Sequence, residues 1–114
     1  MKIFLDTADT DIISKYFETG LVDGVTTNPT LIMKSGRNPE DVYEDIRDIG
    51  VKDISMEVVG NADDMTAEGV RLYQKFGDVC TVKVPCTREG LETCKKLSDL
   101  GIKVNVTLIF CAAQ

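Results

Sequence analysis

Polar side chains interrupt the apolar stretches of this sequence, and their types suit chemistry at a carbonyl group. Lys83 stands between two valines, and Glu57 stands between a methionine and a valine. A lysine held among apolar side chains favours its neutral amine, which can attack a ketone. The sequence has no histidine. Any acid or base must therefore be a carboxylate, a lysine, a tyrosine, a cysteine or water.

Other polar residues break the apolar pattern at comparable places. Asp6 ends the first apolar run, Asn28 follows the second, and Asn105 and Thr107 share one face of the last. Side chains alternate between the two faces of a strand. If the apolar runs are parallel strands of a barrel, these polar groups meet with Lys83 at the mouth where such enzymes keep their chemistry.

Each of these residues also has an ordinary structural interpretation. A lone lysine in a strand often reaches solvent along apolar surface, and a lone glutamate usually lies on an exposed edge. Asp6 and Asn28 match common turn and cap chemistry, and Thr107 is a good strand former. What favours chemistry is that every expected strand breaks the apolar pattern at a matching place.

The elements that would position these residues follow from the alternation of short apolar runs with amphipathic stretches. The expected strands are Lys2–Asp6, Gly24–Thr27, Asp53–Val59, Cys80–Val84 and Lys103–Phe110. The expected helices are Thr10–Glu18, a short turn over Thr30–Lys34, a helix capped by Asn38, a helix that begins near Asn61, and Arg88–Leu100. This order predicts an α/β fold with a parallel sheet and right-handed crossovers.

Two architectures share this order of elements. One is a five-stranded doubly wound domain. The other is the first five strands of a TIM (β/α)8 barrel, which typically needs about 250 residues and at least roughly 200. With 114 residues, the chain would then be one partial barrel domain over residues 1–114, apparently truncated.

Composition and net charge limit the kinds of molecule that this protein is expected to bind. A chain that is 43% hydrophobic and 28% charged is typical of globular proteins rather than disordered ones. No apolar run approaches the roughly 18–20 residues that span a bilayer, and early acids argue against a secretory signal. A net charge of −6 argues against nucleic-acid binding. We therefore expect a cytoplasmic protein without a membrane or nucleic-acid partner.

The cysteines and the missing histidine bear on metals. There are four cysteines and no histidine, and no pair of the cysteines has the C-x-x-C spacing of a zinc site. We therefore expect no metal.

Four stretches together resemble the transaldolase family. They are FLDTA at 4–8, GVTTNPT at 24–30, VKVP at 82–85 and NVTLIF at 105–110. The resemblance is strongest to the small members, which include the fructose-6-phosphate aldolases, and it extends in register over the whole chain. It implies a barrel enzyme that acts on sugar phosphates without a cofactor, because an iminium supplies the electron sink.

The resemblance also implies catalytic roles. Lys83 of VKVP matches the lysine that forms a Schiff base with the keto sugar. Asp6 of LDTA matches the acid/base that handles the proton of the sugar hydroxyl during carbon–carbon cleavage. Glu57 matches the acid that works through a water while the Schiff base forms and breaks, and Thr107 matches the residue that orients this water.

Substrate contacts are implied by the same stretches. Asn28 of TTNP matches a residue that hydrogen-bonds the dihydroxyacetone unit, and Thr26 and Asn105 are further substrate contacts. The residues that hold the substrate phosphate lie, in the family's pattern, beyond the last residue of this sequence. Arg88, in the first turn of an expected helix, is more simply a solvated surface residue.

Alternatives within and outside the family remain open. Glu57 favours a transaldolase of the pentose phosphate pathway, which transfers a dihydroxyacetone unit, over a fructose-6-phosphate aldolase-like lyase. A non-catalytic fragment would keep the sequence motifs but lack the residues that bind the substrate phosphate. A receiver-like binding module would need an aspartate at the end of the third strand, where Val59 and Gly60 stand. Five strands of a barrel would leave open edges, so we expect a homo-oligomer.

Overall fold

The structure is a computed structural model, and it describes residues 1–107. The chain divides into two compact units, the first over Met1–Met56 and the second beginning at Glu57. Each unit alternates strands and helices. The expectation of one partial domain over residues 1–114 stays a prediction.

The first unit contains three parallel strands and the helices between them. In chain order its elements are β1 (Phe4–Asp6), α1 (Thr10–Phe17), β2 (Gly24–Thr26), α2 (Pro29–Ser35), α3 (Pro39–Ile49) and β3 (Ile54–Glu57), whose last residue begins the second unit. β1 pairs with β2, which places Asp6 opposite Thr26. β2 pairs with β3, which places Thr26 opposite Ser55.

Local sequence explains where the helices of the first unit begin and end. Asp9 caps α1 by accepting hydrogen bonds from the backbone N–H groups of Asp11 and Ile12. Asn38 caps α3 by accepting from the N–H of Glu40, and a proline stands in the first turn. α3 ends at Ile49, and the residue that caps it, Gly50, has a φ of 111°, a conformation that favours glycine.

The second unit places two further strands and two helices after the end of β3. Its elements are α4 (Ala62–Phe76), a 3-10 turn (Gly77–Val79), β4 (Cys80–Pro85), α5 (Arg88–Asp99) and β5 (Val104–Thr107). β4 and β5 are parallel, with Lys83 opposite Asn105. The N–H of Val58, just after β3, donates to the carbonyl of Lys83 at 3.0 Å.

The core of the second unit lies between its strands and its helices. α4 and α5 pack against each other and against β4. They approach closely at Gly69, where an added Cβ would lie 2.8 Å from Cδ1 of Leu97 and 3.4 Å from Cγ1 of Val82. Val82 therefore faces the helices, and it is fully buried with Val84 and Leu97.

The pairings confirm the parallel α/β prediction and decide between its two architectures. Each strand neighbours the next strand in sequence, because β1 pairs with β2, β2 with β3, the residue after β3 with β4, and β4 with β5. A doubly wound sheet reverses its strand order at a switch point. The sequential order is that of the first five β/α units of a TIM barrel.

The predicted elements are all present within the described residues, with shifted ends. β1 begins at Phe4 rather than Lys2, β3 covers Ile54–Glu57 rather than Asp53–Val59, and α2 begins at Pro29 rather than Thr30. The last three residues of the predicted fifth strand, 108–110, lie outside the described residues. Among the helices of residues 1–107, none combines the length and the apolar composition of a membrane span.

Candidate active site

Lys83 lies in the middle of β4 with its side chain on the opposite face from the core. Its neighbours Val82 and Val84 are both 0% exposed, whereas Lys83 is half-buried. The strand alternation predicted from the sequence is therefore confirmed. The backbone of Lys83 is also fixed, because its carbonyl accepts from the N–H of Val58 and it lies in register with Asn105 on β5.

Glu57 is a carboxylate of the second unit that interacts electrostatically with Lys83. It ends β3 and is half-buried. Burial raises the pKa of the Glu57 carboxyl above its ordinary value of 4.5, while the positive charge of Lys83 acts in the opposite direction. Burial is the larger effect. Glu57 therefore holds its proton to a higher pH than an exposed glutamate would, as a proton donor requires.

Asn105 and Thr107 lie on β5, beside the strand that carries the lysine. Asn105 is in register with Lys83, and Thr107 is in register with Pro85. The carbonyl of Thr107 accepts from the N–H of Cys86 at 3.0 Å, which holds the ends of the two strands together. Asn105 is exposed and Thr107 is half-buried. The structure thus places these two residues and Lys83 on adjacent strands of the second unit.

Asp6 and Thr26 are brought together in the first unit. They lie directly opposite each other at the ends of β1 and β2. The Thr26 hydroxyl donates a hydrogen bond of 2.9 Å to Oδ1 of the Asp6 carboxylate. Asp6 is exposed and Thr26 is half-buried. The carboxylate expected to act as acid/base is therefore held by the neighbouring strand.

Asn28 serves as a helix cap. Its side-chain Oδ1 accepts a hydrogen bond of 2.9 Å from the N–H of Leu31, in the first turn of α2. The ordinary structural interpretation of Asn28 is thus confirmed. The cap uses the oxygen of the amide, so the NH2 group is the part suited to a sugar hydroxyl. Contact between Asn28 and a substrate stays a prediction.

One positioning feature was missed by reasoning from the sequence. Gly90, in the first turn of α5, lies so close to the end of β4 that an added Cβ would stand 1.8 Å from the carbonyl oxygen of Pro85. Its N–H also donates the capping hydrogen bond to Oγ1 of Thr87, at 3.0 Å. A glycine inside the first turn of a predicted helix was the available signal. Gly90 lets α5 pack against the strand that carries Lys83.

Within residues 1–107, no group of three or more histidine, cysteine or acidic side chains is arranged to hold a metal ion. Of the cysteines in that range, Cys80 is buried and Cys86 and Cys94 are half-buried, and these three form no disulfide with one another. The predicted site residues among residues 1–107 are a lysine, two carboxylates, two threonines and two asparagines, divided between the two units. A lysine amine can form an imine with a ketone, and a carboxylate can take up or release a proton.

Comparison with known proteins gives one consistent family. Residues 3–114 match the family model described as transaldolase/fructose-6-phosphate aldolase. A probable transaldolase of Nitrosopumilus maritimus is 51% identical over 115 aligned positions, which cover 100% of this chain and 51% of the relative. A probable transaldolase of Paracoccus denitrificans is 53% identical, with 100% of this chain and 52% of the relative covered. The chain thus spans about half the length of these curated relatives.

Proposed function

Because the chain belongs to the transaldolase/fructose-6-phosphate aldolase family, we propose that it carries the Schiff-base half of a class I transaldolase. The reaction transfers a dihydroxyacetone unit from a ketose phosphate to an aldose phosphate, in the cytoplasm, as a step of the pentose phosphate pathway. The observation that supports this most directly is the half-buried Lys83 interacting with Glu57, whose pKa burial raises. No cofactor is needed, because the iminium accepts the electrons.

The first stage forms the Schiff base. The neutral amine of Lys83 attacks the ketone carbon of the donor sugar and gives a carbinolamine. Glu57 supplies a proton, through a water oriented by Thr107, to the hydroxyl that leaves as water. The carbon–nitrogen double bond that remains is a protonated iminium. Glu57 suits this role because it keeps its proton to a higher pH than an exposed glutamate.

The second stage breaks and remakes a carbon–carbon bond. The Asp6 carboxylate takes the proton of the hydroxyl on the carbon that becomes the aldehyde. The electron pair of the broken bond moves into the iminium and leaves an enamine on Lys83. The aldose departs, an acceptor aldose is attacked by the enamine, and Asp6 returns its proton to the new hydroxyl. Asn28 and Asn105 would hold the hydroxyls of the dihydroxyacetone unit.

Trapping of the Schiff base tests this proposal. The protein is incubated with dihydroxyacetone or fructose 6-phosphate, reduced with borohydride, and weighed by intact mass spectrometry. We expect an adduct in the wild type that is lost in Lys83→Ala. The matched control is Lys96→Ala, because Lys96 is an exposed lysine on α5. The proposal fails if saturating sugar leaves no adduct, or if Lys83→Ala still forms one.

A coupled assay then separates transfer from cleavage. Fructose 6-phosphate is supplied with and without erythrose 4-phosphate, and release of glyceraldehyde 3-phosphate is followed. A transaldolase releases it at a high rate when the acceptor is present, because the acceptor frees the enamine. A fructose-6-phosphate aldolase-like lyase releases it at the same rate without the acceptor, and that result would replace transfer by simple cleavage.

A further inference from the structure

We propose that Thr26 is a positioning residue for the Asp6 carboxylate rather than a substrate contact. The inference rests on the proposed function, since it takes Asp6 as the acid/base of carbon–carbon cleavage. It departs from the role that the sequence motif implies for Thr26, because the hydroxyl proton is already committed to Asp6.

The geometry of the two strands carries the inference. Asp6 and Thr26 are register partners on the parallel pair β1 and β2, so their side chains stand on the same side of the sheet. The hydroxyl of Thr26 lies 2.9 Å from Oδ1 of Asp6 and acts as the donor. An ionised carboxylate only accepts hydrogen bonds, and a bond to it is stronger than a neutral one.

The support behind Thr26 is rigid. Val25 before it and Thr27 after it are both 0% exposed. The hydroxyl of Thr27 donates to the carbonyl of Ser55 at 3.0 Å, which ties β2 to β3. Thr26 is also branched at Cβ, which restricts its side-chain rotation. Its hydroxyl is thus held at a fixed place beside the carboxylate.

A fixed bond to Oδ1 has a chemical consequence. Asp6 is exposed, so its carboxylate would otherwise sample several orientations. With Oδ1 held by Thr26, the plane of the carboxylate is set, and Oδ2 becomes the atom that takes the proton of the sugar hydroxyl. Orientation of a base in this way acts on the chemical step and leaves substrate binding nearly unchanged.

Two variants of Thr26 test the assignment. Thr26→Val removes the hydroxyl and keeps the shape, whereas Thr26→Ser keeps the hydroxyl. With erythrose 4-phosphate as acceptor, we expect kcat for fructose 6-phosphate to fall about 10-fold to 100-fold in Thr26→Val, with KM within about twofold, and to recover largely in Thr26→Ser. A rise in KM with kcat retained would overturn the inference and restore a substrate contact.

Borohydride trapping distinguishes a failure of the role proposed for Thr26 from a failure of the proposed function. Schiff-base formation depends on Lys83 and not on Asp6, so Thr26→Val should give as much dihydroxyacetone adduct as the wild type. An adduct in both proteins with equal kcat defeats the role of Thr26 alone. Absence of the adduct from the wild type defeats the proposed function instead.

A double-mutant cycle tests the bond without any turnover. Urea unfolding midpoints are measured for Thr26→Val, Asp6→Ala, the double variant and the wild type. If the hydroxyl holds the carboxylate, the two losses of stability are less than additive in the double variant. Additive losses would show that the side chains do not interact and would overturn the inference.

Discussion

At Glu57, two opposite effects act on one carboxyl group. Burial raises its pKa and is the larger effect, and the charge of Lys83 lowers it. Replacing Lys83 by methionine removes only the second effect, so we expect the pKa of Glu57 to rise further in Lys83→Met. The measurement is a pH titration of the side-chain carboxyl carbon of Glu57 by NMR. Lys96→Met, on the surface of α5, should leave it unchanged.

An unchanged or lower pKa of Glu57 in Lys83→Met would mean that the lysine does not face the carboxylate. The electrostatic link between β3 and β4 would then be absent, and the proposed proton transfer to the carbinolamine would lose its basis. The titration therefore tests the pair without requiring any substrate.

The raised pKa of Glu57 also makes folding stability depend on pH. Because the folded state holds this proton more tightly than the unfolded chain, the contribution of Glu57 is complete below the ordinary pKa of 4.5. It is lost as pH rises through the folded-state pKa. We expect the wild type to lose stability relative to Glu57→Gln from about pH 4.5 upward. Urea unfolding of both proteins across this range measures the difference, and a wild type that gains on the variant would contradict it.

Asn28 allows its structural and chemical roles to be separated. Asn28→Asp keeps an acceptor for the N–H of Leu31, whereas Asn28→Ala loses the cap. We expect Asn28→Ala to lower the free energy of unfolding by about 1 kcal/mol and Asn28→Asp to cost less than about 0.5 kcal/mol. If the NH2 group binds substrate, both variants lose activity. Activity retained in Asn28→Asp would limit Asn28 to its role as a cap.

Local pattern predicted some residue environments and missed others. The partial burial of Lys83 between two buried valines could be predicted, because side chains alternate between the two faces of a strand and this involves only adjacent positions in sequence. The bond from Thr26 to Asp6 could not be predicted in the same way. It depends on which residue of β1 lies across from Thr26, and this register depends on both strands and their connection rather than on one strand alone.

At the scale of elements, the helix starts were predictable and the strand ends were not. The caps at Asp9 and Asn38 depend on a side chain and the next few N–H groups, all close in sequence. The assigned end of a strand depends on the pairing with its neighbour: β1 is in register with β2 from Phe4 to Asp6, although the carbonyl of Ile3 still accepts from the N–H of Asp23 at 2.8 Å. Strand length is therefore a property of the pair.

Packing of α5 onto β4 gives a prediction for its glycine. In Gly90→Ala the new Cβ would meet the backbone carbonyl of Pro85, which can move only with the strand. In Gly69→Ala it would meet the end of the Leu97 side chain, and alanine gains about 1 kcal/mol in helix propensity. We expect Gly90→Ala to lower the free energy of unfolding by about 1–3 kcal/mol and to cost more than Gly69→Ala. Chemical denaturation of both variants provides the comparison.

An equal cost in the two variants would show that the start of α5 shifts without effect on β4. In the expected case the end of β4 is displaced, and Lys83 lies two positions before Pro85. Gly90→Ala should then also reduce the borohydride adduct more than Gly69→Ala does. The position of α5 would thus affect Lys83 through the backbone of β4.

At the scale of the whole molecule, element order could not distinguish the two α/β architectures. Doubly wound sheets and barrels both alternate strands with helices, and they differ in which strands are neighbours. The pairings of β1 with β2 and of β4 with β5, together with the bond from Val58 to Lys83, supply that information. Which strands pair with each other depends on contacts between segments that are distant in sequence. The hydrophobic pattern within one segment therefore cannot predict it.

The sequential strands lead to a prediction about association. A closed barrel leaves no strand edge, because its last strand pairs with its first. The chain spans about half the length of the curated relatives, 51–52%, and in the pairings of residues 1–107, β1 is bonded to β2. We therefore expect a polypeptide of these 114 residues to form homo-oligomers through its strand edges.

Light scattering after size exclusion, over a range of concentrations, should give a mass above that of one chain. The C-terminal half of the Nitrosopumilus maritimus relative, added in equal amount, should compete with self-association by completing the barrel. A mass of one chain at every concentration would contradict the prediction.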